Sequence, residues 1–246
     1  MHLRSGVLKS SGLLATVLVT GVVGLLVVPI FRPQLGAYVS IAAIGFALAL
    51  QKYVASFAGY FVLKGSRLFG VGDRIRIGSI KGDVRHIGLL HFILDEVGEG
   101  EKLGGELTGR ILHIPNHIVL DQPVLNFSQD FSSDGRFIAC EYMFDEVRIP
   151  VSLQSDLERA SRLLAQVMQE EDAEYVEAAR RNFGPEMPNF LEELEKGPRT
   201  NLHVEAQRVW LIGRFVAPIR GRNDLKSRIV VRFLEKVRAD EHVLLA

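Results

Sequence analysis

No Asp or Glu occurs in the first 72 residues, and this limits what the front of the chain can become more than any other feature. Six of the 29 basic residues fall there (Arg4, Lys9, Arg32, Lys52, Lys64 and Arg67), so a formal net charge of zero conceals +6 ahead of −6. Between these cations run long apolar stretches. Sparse cations flanking such stretches mark a membrane contact rather than a polyanion contact.

Ser10 to Phe31 carries no charge and is rich in Leu, Val and Gly. As a helix it would extend about 33 Å, enough for a hydrocarbon core of about 30 Å. A signal peptide is the competing reading, because Arg4 and Lys9 resemble a basic n-region. The run outlasts an h-region and no A-x-A-like site follows it, which favours a membrane span over about residues 10–31. Arg32-Pro33 then reads as a tight turn. A second span is expected over about 34–63, interrupted only by Lys52. From Ser40 to Gln51 it alternates small and large residues, with Ala43, Gly45, Ala47 and Ala49 as the small ones. Small residues let membrane helices approach closely, so this helix is expected to pack against protein. His2, Arg4 and Lys9 precede the first span, Lys64, Arg67, Arg74 and Arg76 follow the second, and Arg32 alone sits between. The positive-inside rule therefore expects a multi-pass protein with N- and C-termini in the cytoplasm.

Beyond Leu63 the apolar period shortens toward two, as in Arg74-Ile75-Arg76-Ile77, with Gly72, Gly78, Gly82 and Gly88 as punctuation. Short strands and a β-rich domain to about Gln129 are expected. Val97–Gly109 is polar and glycine-rich, as an exposed hairpin loop would be. Arg136–Arg148 reads as a strand, and Ser155-Asp156-Leu157-Glu158 as a capping box before a helix with Leu157, Ala160, Leu164, Val167 and Met168 on one face. Gly184–Pro198 reads as a loop or linker, and Thr200–Val216 as one or two strands. Asn223 is a candidate cap for a last helix with the stripe Leu225, Ile229, Phe233 and Val237. The division is a transmembrane region over 1–64, a β-rich domain over 65–130 and an α+β domain over 131–246. The lone Cys140 excludes an intramolecular disulfide framework and reads as packing.

Three stretches together resemble the small-conductance mechanosensitive channel family, MscS-like, in a reduced two-span form. They are Ala43–Gln51 continuing to Ala58-Gly59; Leu68–Val84 with Gly72, Asp73 and Gly82; and Pro115-Asn116 followed by Asn126-Phe127-Ser128. The resemblance covers about residues 35–130, and the C-terminal region only in its order of elements. It implies an Sm-like β-rich domain and a ferredoxin-like α+β domain that forms a cytoplasmic vestibule. It also implies a homo-oligomer, usually a heptamer, whose second span lines a pore gated by Ile44 and Leu48. Two spans cannot enclose a water path, so a channel here requires several chains. Stretching the bilayer would favour the wider state, with the first span as the lipid-facing sensor; rings of apolar side chains stop ions by dewetting. The chain departs from the pattern in four places. Lys52 stands where the family usually has a glycine that bends the helix, which moves the expected bend toward Ser56 or Gly59. The family's common additional N-terminal span is missing, either truly or because this sequence is truncated. The Val97–Gly109 loop is enlarged, and the terminal strand that often closes the vestibule floor has no counterpart after Leu245.

Each sharp reading has a plain one beside it. Lys52, at the inner pore mouth, either forms a cationic ring or snorkels to the headgroups. Ile44 and Leu48 either gate or pack helices. His113 and His117 have a metal-like spacing, but Pro115 between them opposes the helix that spacing needs, so no metal site is expected. Gly70-x-Gly72 and Gly98-x-Gly100 lack the strand-to-helix setting of a phosphate site. Arg214, Arg220, Arg222, Lys226, Arg228 and Arg232 read as a solvated face, or as partners of acids in the Glu141–Glu195 segment of a neighbouring subunit. No catalytic constellation and no cofactor are expected. The expected function is a tension-gated, weakly selective channel releasing small solutes, with membrane lipids and ions as partners and no nucleic acid. The alternative is a non-conducting, membrane-anchored cytoplasmic scaffold.

Overall fold

A computed structural model describes residues 36–98, 105–131, 135–183, 187–206, 208–240 and 242–245, together with Thr16, residues 19–24 and Val27 near the N-terminus. Most of the expected first span, the Arg32-Pro33 turn and residues 99–104 of the Val97–Gly109 loop lie outside these residues. The positions of that span which are described are helical. The chain divides into two compact units, Met1–Ser56 and Phe57–Ala246.

One long helix, α1 (Gly36–Ser66), runs unbroken through Lys52, Ser56 and Gly59. Its Ala- and Leu-rich sequence favours helix at nearly every position. Lys64 in its last turn suits the negative end of the dipole. Among the described residues, α1 is the helix long and apolar enough to cross a bilayer.

The β-rich domain is a five-stranded antiparallel sheet in the order β4-β3-β2-β1-β5. Its strands are β1 (Arg74–Ile77), β2 (Ile80–Ile87), β3 (His91–Val97), β4 (Leu107–Pro115) and β5 (Val124–Asn126). A single turn, α2 (Ile118–Asp121), links β4 to β5. Ile75, Ile77, Val84, Phe92, Leu94 and Ile114 alternate into one core, which Leu63 at the foot of α1 joins. Strands β6 (Gln129–Phe131) and β7 (Phe137–Ala139) form a small separate hairpin.

The C-terminal domain is a three-stranded antiparallel sheet, β8-β10-β9, packed by helices. It comprises β8 (Tyr142–Val151), α3 (Leu157–Phe183), α4 (Pro188–Glu195), β9 (Arg199–Glu205), β10 (Arg208–Pro218) and α5 (Arg222–Arg238). The core contains Leu164, Val167 and Met168 of α3, Leu225, Ile229, Phe233 and Val237 of α5, and Val209, Leu211 and Phe215 of β10.

Four local expectations are corrected. The strand expected over 136–148 is two strands, broken at Cys140-Glu141, where Ser128 and Ile219 take the backbone bonds. The linker expected over 184–198 contains α4, because Pro188 occupies the first turn, where a missing N–H costs nothing. Asp156, not Ser155, caps α3: its Oδ1 accepts the N–H of Arg159 at 2.9 Å, while the Ser155 hydroxyl donates to the Leu244 carbonyl at 2.8 Å. Asn223 lies inside α5, whose N-cap is Gly221 in the left-handed region (φ 74°).

Candidate functional site

The candidate site is the exposed surface of α1 and the device that fixes its foot. Ile44, Leu48 and Lys52 are spaced four apart, so they stack along one side of the helix. Ile44 is 60% and Leu48 66% exposed, and Ile41, one turn earlier, is 69%. Ala43, Gly45, Ala47 and Ala49 are exposed between them, and beyond the helix's own backbone nothing among the described residues lies within 4 Å of where a Gly45 side chain would be. Such an apolar surface is not stable in water; it requires lipid or other protein.

The last two turns are held differently. Gly59 and Leu63, four apart, are buried. A methyl group at Gly59 would meet the Asn116 carbonyl oxygen at 2.6 Å, so only glycine lets the helix touch this turn. Asn116 is fully buried, and its amide donates to the carbonyls of Gly88 and Leu89, both at 2.9 Å. Pro115 ends β4 just before it. The turn that receives the helix is therefore itself tied to the β2–β3 connection.

The remaining motif residues build the sheet. Gly72 has φ 98°, which a side chain would strain. Asp73 Oδ2 accepts three bonds: from Gly70 N–H at 2.8 Å, Asn126 Nδ2 at 3.0 Å and Gln129 Nε2 at 2.8 Å. Asn126 also donates to the Leu68 carbonyl and accepts the Ser128 N–H. These bonds join the foot of α1, β1 and β5. Gly82 faces Asp95 across β2–β3 so closely that a methyl would lie 2.6 Å from its carbonyl oxygen. Phe127 receives the Lys81 ammonium 4.8 Å from its ring centroid.

The sequence pattern did not single out Arg74 and Asp83 as partners, yet they form the centre of this region. Arg74 is buried and bonds Asp83 through Nε (2.7 Å) and Nη2 (3.0 Å). Its Nη1 donates to the carbonyls of Ile219 at 3.0 Å and Gly105 at 3.3 Å, and Arg220 donates to the Gly72 carbonyl at 2.7 Å. The β-rich and C-terminal domains are thus joined by charge-assisted bonds.

The basic C-terminal residues meet acids of their own chain. Arg214 binds Glu193, Lys226 binds Asp145, and Arg228 and Arg232 bind Glu171. Hydrogen bonds from Lys196 and Arg214 hold the Glu193 carboxyl down at about 2. Cys140 is half-buried among apolar neighbours, and that burial pushes its thiol up to about 12. His113 stands on β4 and His117 beyond its end, in the turn before α2.

The described residues thus combine an apolar helix of bilayer length, its foot clasped by a β-rich domain, with a following α+β domain. Residues 52–101 match the family model described as the β-domain of mechanosensitive ion channels. Two proteins of Buchnera aphidicola, both named uncharacterized MscS family proteins, are 24% identical over 136 residues, or 55% of this chain. The chain spans about two-fifths of the length of these curated relatives, 41% and 38%. Among solved structures, Arabidopsis thaliana MSL1 matches with a TM-score of 0.61 at 17% identity, covering 99% of this chain and 77% of that one. Helicobacter pylori MscS in its closed state matches with a TM-score of 0.59 at 19% identity, covering 87% and 70%. The likeness to both is one of fold. The matched β-domain and the two relatives make the chain similar to the MscS-like family of mechanosensitive channels.

Proposed function

We propose that several copies of this chain, seven by analogy with the resemblance, assemble around α1 into a tension-gated, weakly selective channel of the cytoplasmic membrane. The observation that carries this is α1 itself: a 31-residue apolar helix whose Ile44–Leu48 row and small residues find no cover among the described residues. A ring of such helices turns Ile44 and Leu48 inward, where the constriction stays dry and blocks ions without a plug. Ala43, Gly45, Ala47 and Ala49 allow close approach between neighbours. Tension favours the state of larger in-plane area, so tilting the helices widens and wets the ring. The soluble domains, Sm-like and ferredoxin-like, form the vestibule, and both termini face the cytoplasm. Osmolytes and ions leave through the pore on hypo-osmotic shock. The process involves no catalytic step and no cofactor.

Patch recording from liposomes reconstituted with the purified chain tests this reading. Suction is expected to open discrete conductances below the lytic tension. Silence at every tension the patch survives would overturn it and leave the membrane-anchored scaffold.

A further inference from the structure

α3 carries an acid in the middle of its buried stripe. Ala160, Leu164, Val167 and Met168 precede Asp172 on the face turned to the sheet, Ala179 and Phe183 follow it, and Asp172 is 2% exposed. A carboxylate in such a place is costly unless it is paired or richly hydrogen-bonded. What Asp172 meets from the sheet is one N–H. Two residues beyond the last β9–β10 pair, Arg199↔Arg214, the backbone N–H of Val216 is taken not by a strand but by Asp172 Oδ2 at 3.2 Å. Beside the carboxyl lies a cavity of about 10 Å³, roughly the space of one water, walled by Phe144, Val176, Leu194, Pro198 and Arg214.

The charged groups around it are already engaged. On β10, Arg214 lies over the Phe144 ring, 4.1 Å from its centroid, and binds Glu193 of α4 at 2.9 Å. Arg199 of β9 binds the same Glu193 at 2.8 Å. On α3 itself, Glu171 and Tyr175 are held by Arg228 and Arg232 of α5. On β8 the neighbour is Phe144. Among the described residues, no cation pairs with Asp172.

We propose that Asp172 is a proton-dependent latch: neutral, it fastens α3 to the end of β10 and keeps the α4–β9 connection closed over the cavity; ionised, it draws water into the cavity and loosens residues 188–199. Burial pushes the carboxyl up from 3.8 to about 6, outweighing the opposing effect of the Val216 N–H. Between those values the closed state holds the proton more tightly than an opened one, so closure weakens as pH rises. A carboxyl titrating near 6 rather than 3.8 implies roughly a tenfold loss of closure from pH 5 to pH 7. The latch depends on the fold of the C-terminal domain and not on conduction, so its failure and that of the channel reading are separate.

The test is hydrogen exchange of the full chain in detergent at pH 5 and pH 7, corrected for the intrinsic exchange rate. Protection of amides in 188–199 should fall roughly tenfold in the wild type. It should stay level in Asp172→Asn, which keeps an acceptor for Val216 and cannot ionise. A wild type with level protection, or a variant that falls equally, overturns the proposal. Infrared spectra of the wild type alone must also lose a protonated-carboxyl band over the same window. An Asp172 already ionised at pH 5 overturns the latch even if the variant does not fold.

Discussion

Gly82 and Arg74 bear the largest local constraints, and they differ in how visible they are before folding. Glycine at position 82 stands out between the two strand-like stretches because only backbone can approach backbone so closely. Gly82→Ala sets a methyl against the Asp95 carbonyl and Leu94 Cβ, neither of which can swing aside. It is expected to destabilise the β-rich domain by about 1–3 kcal/mol, measured as a lower thermal midpoint of the full chain in detergent. An unchanged midpoint would mean that β2 and β3 do not approach as closely as described. Arg74 gives no such signal: an alternating Arg-Ile-Arg-Ile strand leaves open which arginine is buried and what it binds. That is decided by β1 pairing with β2, which sets Arg74 opposite Asp83, and by Ile219, which lies 145 residues away. Arg74→Ala leaves Asp83 with the longer contact of Arg220, 3.7 Å away, and should cost about 3 kcal/mol. Arg74→Ala with Asp83→Ala should recover part of that loss. A double variant no more stable than the single one would show that the carbonyl contacts, not the ion pair, carry the cost.

Among the elements, those with strong periodicity were legible, and those defined by their ends were not. The stripes of α3 and α5 fall where their spacing puts them, because a two-sided sheet must be covered on its apolar face. The α4 segment was hidden by its prolines, although Phe190, Leu191 and Leu194 already have helical spacing. Pro188 begins the helix, and Gly197 in the left-handed region (φ 68°) follows its end. For α1 the register was legible and the surroundings were not, since Ile44, Leu48 and Lys52 are exposed among the described residues. Two outcomes belong to this helix. If α1 lines a pore as proposed, Leu48→Ser should wet its constriction and open the channel at lower tension or leave it leaking at rest; an unchanged threshold would remove Leu48 from the gate. Lys52 stands one turn past Leu48 on the same side, so its ammonium comes to the pore wall whenever Leu48 does. Lys52→Gln is then expected to move the reversal potential in a salt gradient toward cations, and no movement would leave Lys52 to the headgroups.

At the scale of the molecule, the two units place opposite demands on their surroundings. Phe57–Ala246 has three apolar cores of its own and pairs many of its cations internally. In particular, Asp145, Glu170, Glu171 and Glu193 are engaged by the same chain's basic residues, which weakens one expected reason for subunits to attract each other there. Met1–Ser56 is the reverse: α1 in this unit presents large and small apolar side chains outward, with nothing among the described residues against them. If copies associate, the force that joins them therefore acts through the close-packing row of α1 inside the bilayer. This can be tested by crosslinking. In a Cys140→Ser background, a cysteine at Ala49 lies on the small-residue surface, within disulfide range of its counterpart only if neighbouring helices approach closely. Oxidation in native membranes is expected to give covalent dimers at Ala49→Cys, and amine crosslinking should extend the ladder to a fixed upper rung. Both signals should vanish when Gly45 and Ala47 are replaced by Leu, while the soluble domains keep their thermal midpoint. A ladder that survives those substitutions would locate the association outside α1, and a chain that never crosslinks would make the helix an anchor.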